Sequence, residues 1–240
     1  MKDLSWFVSV CRINGLELNQ SQTELFGEYA RLLQTWNGRL NLISRKDESN
    51  IFPNHLLHSV SVILGTRIIS DANVVDIGTG GGLPGVPLKI ALPQLKVTLV
   101  DSIKKKTAAL EDIVNNLGLT DTEVVTGRAE ELSRTREFQG RFDYVVSRAA
   151  GKLADVVKWS HGFIKESDAA DPDLLPGGNV IILKGGEISE ELKHTGRLKF
   201  VGHIDVKEIN LEGVNDVDFG GKKIVLVKIK KVTLTRGRIS

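Results

Sequence analysis

An aspartate and three glycines alternate in Asp76-Ile77-Gly78-Thr79-Gly80-Gly81-Gly82, directly after the apolar pair Val74-Val75. Glycines at 78, 80 and 82 let a backbone turn tightly and approach a bound molecule where a Cβ would collide. Leu88, Ile90, Ala91 and Leu92 follow at helical spacing, so the stretch reads as a parallel strand turning into a helix over a nucleotide-like ligand. Asp76 adds a negative charge beside that turn. Asp101 closes a second apolar run, about 20 residues past the glycines, where a carboxylate hydrogen-bonds ribose hydroxyls.

Glycines plus Asp101 suit NAD and S-adenosylmethionine (SAM) alike. Three features favour SAM. The spacing Asp76-x-Gly78-x-Gly80-x-Gly82 resembles a methyltransferase signature more than the dinucleotide pattern Gly-x-Gly-x-x-Gly. Asp76 would repel a pyrophosphate but complements the cationic methionine part of SAM. Gly127-Arg128-Ala129-Glu130-Glu131 follows a third apolar run, where such enzymes place residues around an adenine.

These residues need a scaffold, and the chain supplies an alternating one. Strands are expected at 73–77, 96–101, 123–126, 142–147 and 179–184, with helices over 103–117 and 152–164 and from about Ser189. Gly118 suits the end of the first of these helices. Phe200–Leu211 and Lys222–Lys231 alternate as strands and predict an antiparallel hairpin, with Gly213, Asp216, Asp218, Gly220 and Gly221 between them. Residues 1–70 read as helices. Leu25, Tyr29, Leu32, Leu33 and Trp36 share one face, Ser21 and Glu24 form a capping box, and Pro53 opens a helix running to about Ile69. The expected fold is α/β: a mostly parallel, seven-stranded, Rossmann-like sheet of the Class I SAM-dependent methyltransferase type. It carries an antiparallel C-terminal hairpin and an N-terminal helical cap over 1–70, forming one compact unit with the SAM-binding domain, 71–240. Glu166–Gly178 is acidic and reads as a surface loop.

Composition narrows the setting. Thirty-two basic and 30 acidic residues leave a net charge of +2, so partners must be sought in local charge. The single cysteine, Cys11, excludes an internal disulfide framework and fits a reducing compartment. No apolar run reaches the roughly 20 residues of a membrane span, and the N-terminus carries no long apolar leader. A cytoplasmic, monomeric protein is expected. His55 and His58, three apart, could share a helix face, but no third ligand is visible beside them, and no metal is expected.

Several motifs recur in a fixed order: Trp36-Asn37-x-x-Leu40-Asn41-Leu42, His55-x-x-His58-Ser59, Asp76 through Leu88 with its Gly82-Leu83-Pro84-Gly85 extension, Asp101-Ser102-x-x-Lys105-Lys106, Ser147-Arg148-Ala149 and Leu183-Lys184-Gly185. Together, from about residue 20 to 230, they resemble the RsmG (GidB) family of bacterial ribosomal RNA small-subunit methyltransferases. The resemblance implies SAM-dependent methylation of guanine N7 in the 530 loop of 16S rRNA, as free RNA or within the small ribosomal subunit. It further implies that Gly78, Gly80, Leu83, Asp76, Asp101, Ala129 and Glu130 surround SAM, with Arg148 at the cofactor and target-base end. Asn41, grouped with Arg148 at the catalytic centre, and His55, Lys105, Lys106 and Lys184 match positions linked to substrate engagement. Where the family commonly has an arginine near the last strand, this chain has Lys222 or Lys223, which keeps the charge and loses the bidentate fork.

Guanine N7 bears a lone pair and no proton, so its methylation needs alignment rather than a general base. Arg148 could hydrogen-bond guanine O6 or support the SAM pocket; the competing role is a salt bridge to Asp76 or Asp143. Lys104, Lys105 and Lys106 sit at a helix start, where cations oppose the helix dipole, and such a broken local rule points to a ligand. The tail Lys228, Lys230, Lys231, Arg236 and Arg238 suits RNA phosphates and a solvated tail equally. A methyltransferase for a small molecule or protein, and a nucleotide-binding module without catalysis, are the competing functions.

Overall fold

The computed structural model describes residues 2–148, 150–165, 173–214 and 219–230, the side chains of 45–47 apart. Five strands are parallel: β1 (Asn73–Ile77), β2 (Lys96–Asp101), β3 (Thr122–Thr126), β4 (Tyr144–Arg148) and β5 (Asn179–Gly185). Two more, β6 (Val201–Glu208) and β7 (Lys222–Ile229), form the antiparallel end, and the order across the sheet is β3-β2-β1-β4-β5-β7-β6. The order reverses between β1 and β4, so a crevice opens at the carboxyl ends of these strands, where ligands bind in open α/β sheets.

Both faces of the sheet are buried, which is why its central strands are continuously apolar. Neighbours along a strand face opposite ways. Val74, Val97, Leu99, Val146, Ile181 and Leu226 face one core, while Val75, Val100, Val145, Val180, Ile182 and Val225 face the other. The first core is covered by helices α1 (Leu4–Ile13), α2 (Gln20–Asn37), α3 (His58–Thr66), α4 (Gly85–Ala91) and α5 (Lys104–Asn116). The second lies under α6 (Ala129–Leu132), α7 (Leu153–Ser160) and α8 (Ser189–Gly196). The described residues of the cap, 2–70, therefore share a core with β1, β2, β4 and β5. Cys11 lies inside that core, and burial pushes its thiol up to about 12.

The strand bounds agree with expectation to within about two residues for β1 to β5 and β7, and β6 ends three residues before Leu211. Three local differences carry physical reasons. The capping box of α2 is built by Asn19 and Gln22, not by Ser21 and Glu24. Asn19 Oδ1 accepts the Gln22 N–H at 2.9 Å, and Gln22 Oε1 accepts the Asn19 N–H at 3.0 Å. The same Gln22 amide then donates to the carbonyls of Ile90 and Ala91 at 3.0 Å each, ending α4. The helix expected from Pro53 begins as one wide π-type turn, Phe52–Leu57, and ends at Thr66, where Arg67 adopts φ 36°. α7 ends four residues earlier than expected, because Phe163 and Ile164 leave the helix and run beside Phe142. Ala149, the tail 231–240, residues 166–172 of the acidic loop and Asp216 and Asp218 of the hairpin loop lie outside the described residues.

Candidate functional site

The glycine turn is fixed from behind. Asp76 is fully buried at the end of β1, and its Oδ2 accepts the Thr79 hydroxyl at 2.7 Å and the Gly85 N–H at 2.8 Å. Its Oδ1 has no hydrogen-bond partner among the described residues. Burial raises the carboxyl to about 7, against the pull of Thr79, Gly85 and the Arg148 charge. Gly85 fits because a Cβ there would collide with Leu99 Cδ2 and stand 3.0 Å from Asp76 Oδ2. From the cap side, the Tyr29 hydroxyl donates to the Gly81 carbonyl at 2.9 Å. Leu42 lies over Gly80 and Gly81. Asn37, buried, accepts the Ile43 N–H at 2.8 Å and donates to Glu48, which sets the path of residues 38–43.

In front of the turn lies a cavity of about 330 Å³, within the size of small-molecule sites. Gly78, Asp101, Ala129 and Glu130, the residues expected around SAM, line it together with Ser102, Ile103, Ala150 and Trp159, and so does Lys106, which was expected on the RNA side. Gly78 adopts φ 67°, and a Cβ there would stand 2.7 Å from the Ala150 Cβ, so only glycine leaves that wall open. Asp101 joins two walls. Its Oδ2 accepts the Gly80 N–H at 3.0 Å and its Oδ1 accepts the Ile103 N–H at 2.9 Å. Each oxygen retains a lone pair for a further donor such as a ribose hydroxyl. Apolar surfaces and one well-held carboxylate match a nucleoside, and the buried Oδ1 of Asp76 lies behind the same turn. The residues therefore fit the nucleoside part of SAM.

Leu83 goes elsewhere. It is buried in the core beneath the cap, not in the cavity wall. Arg148 ends β4 half-buried and donates from Nη1 to the Asn54 carbonyl at 3.3 Å, in the π-type turn. Its charge acts on Asp76, Tyr29 and His58. The other proposed ion-pair partner, Asp143, pairs with Lys165 at 2.6 Å instead. His55 and His58 are both buried. Burial, aided by the charges of Lys222 and Arg148, holds His58 well below the usual histidine range and so neutral. Lys222 stands over the Phe219 ring at 4.0 Å with its ammonium buried, which separates it from a solvent-facing phosphate ligand.

Asn41 and Lys105 are exposed, and Lys106 is partly so. α5 starts without a side-chain cap after Ile103. The end of α2 sits beside that helix, with Trp36 Nε1 donating to Asp112 at 2.8 Å and Arg39 over the Trp36 ring at 5.4 Å. Lys184 is different again. Its side chain is 14% exposed, and its ammonium donates to the Gly151 carbonyl at 3.0 Å and to Glu191 Oε2 at 2.9 Å.

Ile103, Ala150 and Trp159 are wall residues that sequence reasoning passed over. Trp159 had a signal: it lies off the buried face of α7, which is made by Leu153, Ala154, Val156, Val157 and Ser160. Ile103 had none, being one apolar residue before three lysines.

A family model described as rRNA small subunit methyltransferase G matches residues 22–216. A ribosomal RNA small subunit methyltransferase G of Clostridium novyi (strain NT) is 33% identical over 215 residues, covering 90% of this chain and 84% of that protein. One from Bacteroides fragilis (strain ATCC 25285) is 37% identical over 213 residues, covering 89% of this chain and 96% of that protein. Among solved structures, a predicted O-methyltransferase of Agrobacterium tumefaciens superposes with TM-score 0.54 at 14% identity, over 75% of this chain and 82% of that one. A SAM-dependent methyltransferase of Aquifex aeolicus does so with TM-score 0.50 at 17% identity, over 77% of this chain and 95% of that one. These two likenesses concern the fold, which is that of Class I SAM-dependent methyltransferases.

Proposed function

The chain belongs to the rRNA small subunit methyltransferase G family, and from that premise we propose that it transfers a methyl group from SAM to N7 of a guanine in the 530 loop of 16S rRNA. The observation that carries the reading is the Gly78–Asp101–Ala129–Glu130 cavity, with Arg148 on the neighbouring strand at the same end of the sheet. When bound, SAM supplies an electrophilic methyl carbon on a good leaving group. Gly78, Asp101, Ala129 and Glu130 would hold its nucleoside. Asp76, behind the turn and raised to about 7, would favour its positive charge in the ionised form.

The remaining work is orientation. N7 offers its lone pair without deprotonation, so the enzyme must bring it into line with the methyl carbon and keep water out. Arg148 would donate to guanine O6, as arginine commonly does, and leave the N7 lone pair free. Tyr29 and Leu42 hold the glycine turn from the cap side, so RNA contacts on the cap and the cofactor loop are mechanically joined. Lys104, Lys105 and Arg39 supply exposed positive charge for RNA phosphates, and Asn41, next to Leu42, would meet the RNA at the cap's edge.

The test is transfer of labelled methyl from SAM to 16S rRNA, to small ribosomal subunits lacking the modification, and to total protein. Label confined to the rRNA of either form agrees with the proposal. Label in protein alone would reject it.

A further inference from the structure

Lys184 matches a motif position linked to RNA, yet its side chain is largely buried and its ammonium is engaged by protein acceptors. It reaches the Gly151 carbonyl at 3.0 Å and Glu191 Oε2 at 2.9 Å. The same Glu191 oxygen accepts the Leu153 N–H, the first amide of α7. Burial works to raise the Glu191 carboxyl, but the Leu153 amide and Lys184 hold it below the usual range, so Glu191 stays charged. One lysine and one glutamate thus grip both ends of the short stretch Gly151–Leu153. Glu191 also places negative charge where the α7 dipole favours it.

That stretch seats Trp159. Atoms Cη2 and Cζ3 of the indole lie 3.5 and 3.7 Å from where a Gly151 Cβ would stand, and the ring lines the cavity. Ile103 lines the same cavity and is 49% exposed, which is unusual for a large aliphatic side chain unless something apolar covers it. A cavity with an indole, an exposed isoleucine and the anchored carboxylate of Asp101 suits a flat base attached to a ribose.

We infer that Trp159 is the stacking wall for the adenine of SAM, and that Lys184, through Glu191 and the Gly151 carbonyl, is a positioning residue for that wall instead of an RNA contact. The inference rests on the SAM reading of the cavity and deepens it. Stacking on an aromatic side chain makes Trp159 worth roughly tenfold to a hundredfold in affinity.

The experiment uses the full chain with Trp6 and Trp36 replaced by phenylalanine, leaving Trp159 as sole emitter. S-adenosylhomocysteine and adenosine should each change its emission, and methionine should not. Lys184→Met should weaken S-adenosylhomocysteine binding about tenfold and red-shift the Trp159 emission, with capture of 16S rRNA on filters unchanged; Lys184→Arg should restore part of the affinity. Should the emitter background fail to fold, calorimetry on Trp159→Ala and Trp159→Phe in the otherwise unaltered chain decides, with loss expected in the first and near-retention in the second. S-adenosylhomocysteine binding that is insensitive to Trp159→Ala, or Lys184→Met weakening RNA capture alone, overturns this inference and leaves the cofactor reading in place. No binding of S-adenosylhomocysteine to the unaltered chain overturns both.

Discussion

The Gly80 amide donates to Asp101 Oδ2 at 3.0 Å, tying the turn after β1 to the end of β2. The other carboxylate oxygen holds the Ile103 amide at 2.9 Å. One side chain therefore fixes two walls of the cavity as well as presenting itself to a ligand. Asp101→Ala leaves two amides without an acceptor, which costs about 1–3 kcal/mol where such groups are buried. Urea unfolding should show that loss, and calorimetry should show S-adenosylhomocysteine binding weakened at least about tenfold. Asp101→Asn, which keeps one acceptor oxygen, should fall between.

Gly85 packs against Leu99 Cδ2 and the Asp76 carboxylate with no space for a methyl group. Gly85→Ala should therefore destabilise the fold by about 1–3 kcal/mol, the usual cost of overpacking. Thermal unfolding measures it. An unchanged melting temperature would mean that the turn yields more easily than its packing suggests.

Arg148 contributes one identified backbone hydrogen bond, to Asn54, at the mouth of the cap. Arg148→Ala should lower methyl transfer by roughly a hundredfold, the scale of misplacing a reacting group, while S-adenosylhomocysteine binding changes much less. Single-turnover transfer beside calorimetry separates the two. Equal losses in both would move Arg148 from the target base to the cofactor.

Burial raises Asp76 to about 7 from an ordinary 3.8. The folded state thus holds a proton that the unfolded chain releases. For this group stability is full below about pH 3.8, falls as pH rises towards 7, and is level beyond it. His58 works the other way: buried neutral, it lowers stability as pH drops below 6.5. Asp76→Asn retains an acceptor for Thr79 or Gly85 and cannot ionise. Subtracting its stability curve from that of the unaltered chain should leave a slope between pH 4 and 7 due to Asp76; parallel curves there would contradict the raised value.

What the sequence revealed, and what it hid, divides along physical lines. β1 and β2 were readable to the residue because both faces are buried and the runs end in Asp or Gly. Gly78 and Gly80 were readable as turn glycines because few other roles demand glycine in that spacing, and both adopt positive φ. Long-range side-chain partners were not. Gln22 reaching the end of α4, Lys184 turning to Glu191 and Lys222 settling over Phe219 each depend on where distant elements dock. A lysine beside an apolar strand looks the same in sequence whether it meets a phosphate or a buried ring. Leu83, marked by the Gly-Leu-Pro-Gly motif, packs in the core beneath the cap and is not among the residues lining the cavity.

Primer extension on 16S rRNA after borohydride reduction and aniline scission, which cleaves the chain at 7-methylguanine, tests the central claim most directly. RNA incubated with this protein and SAM should show one new stop in the 530 loop, absent without SAM and lost with Arg148→Ala. Methyl label entering the RNA with no scission there, or scission at another site, would contradict it.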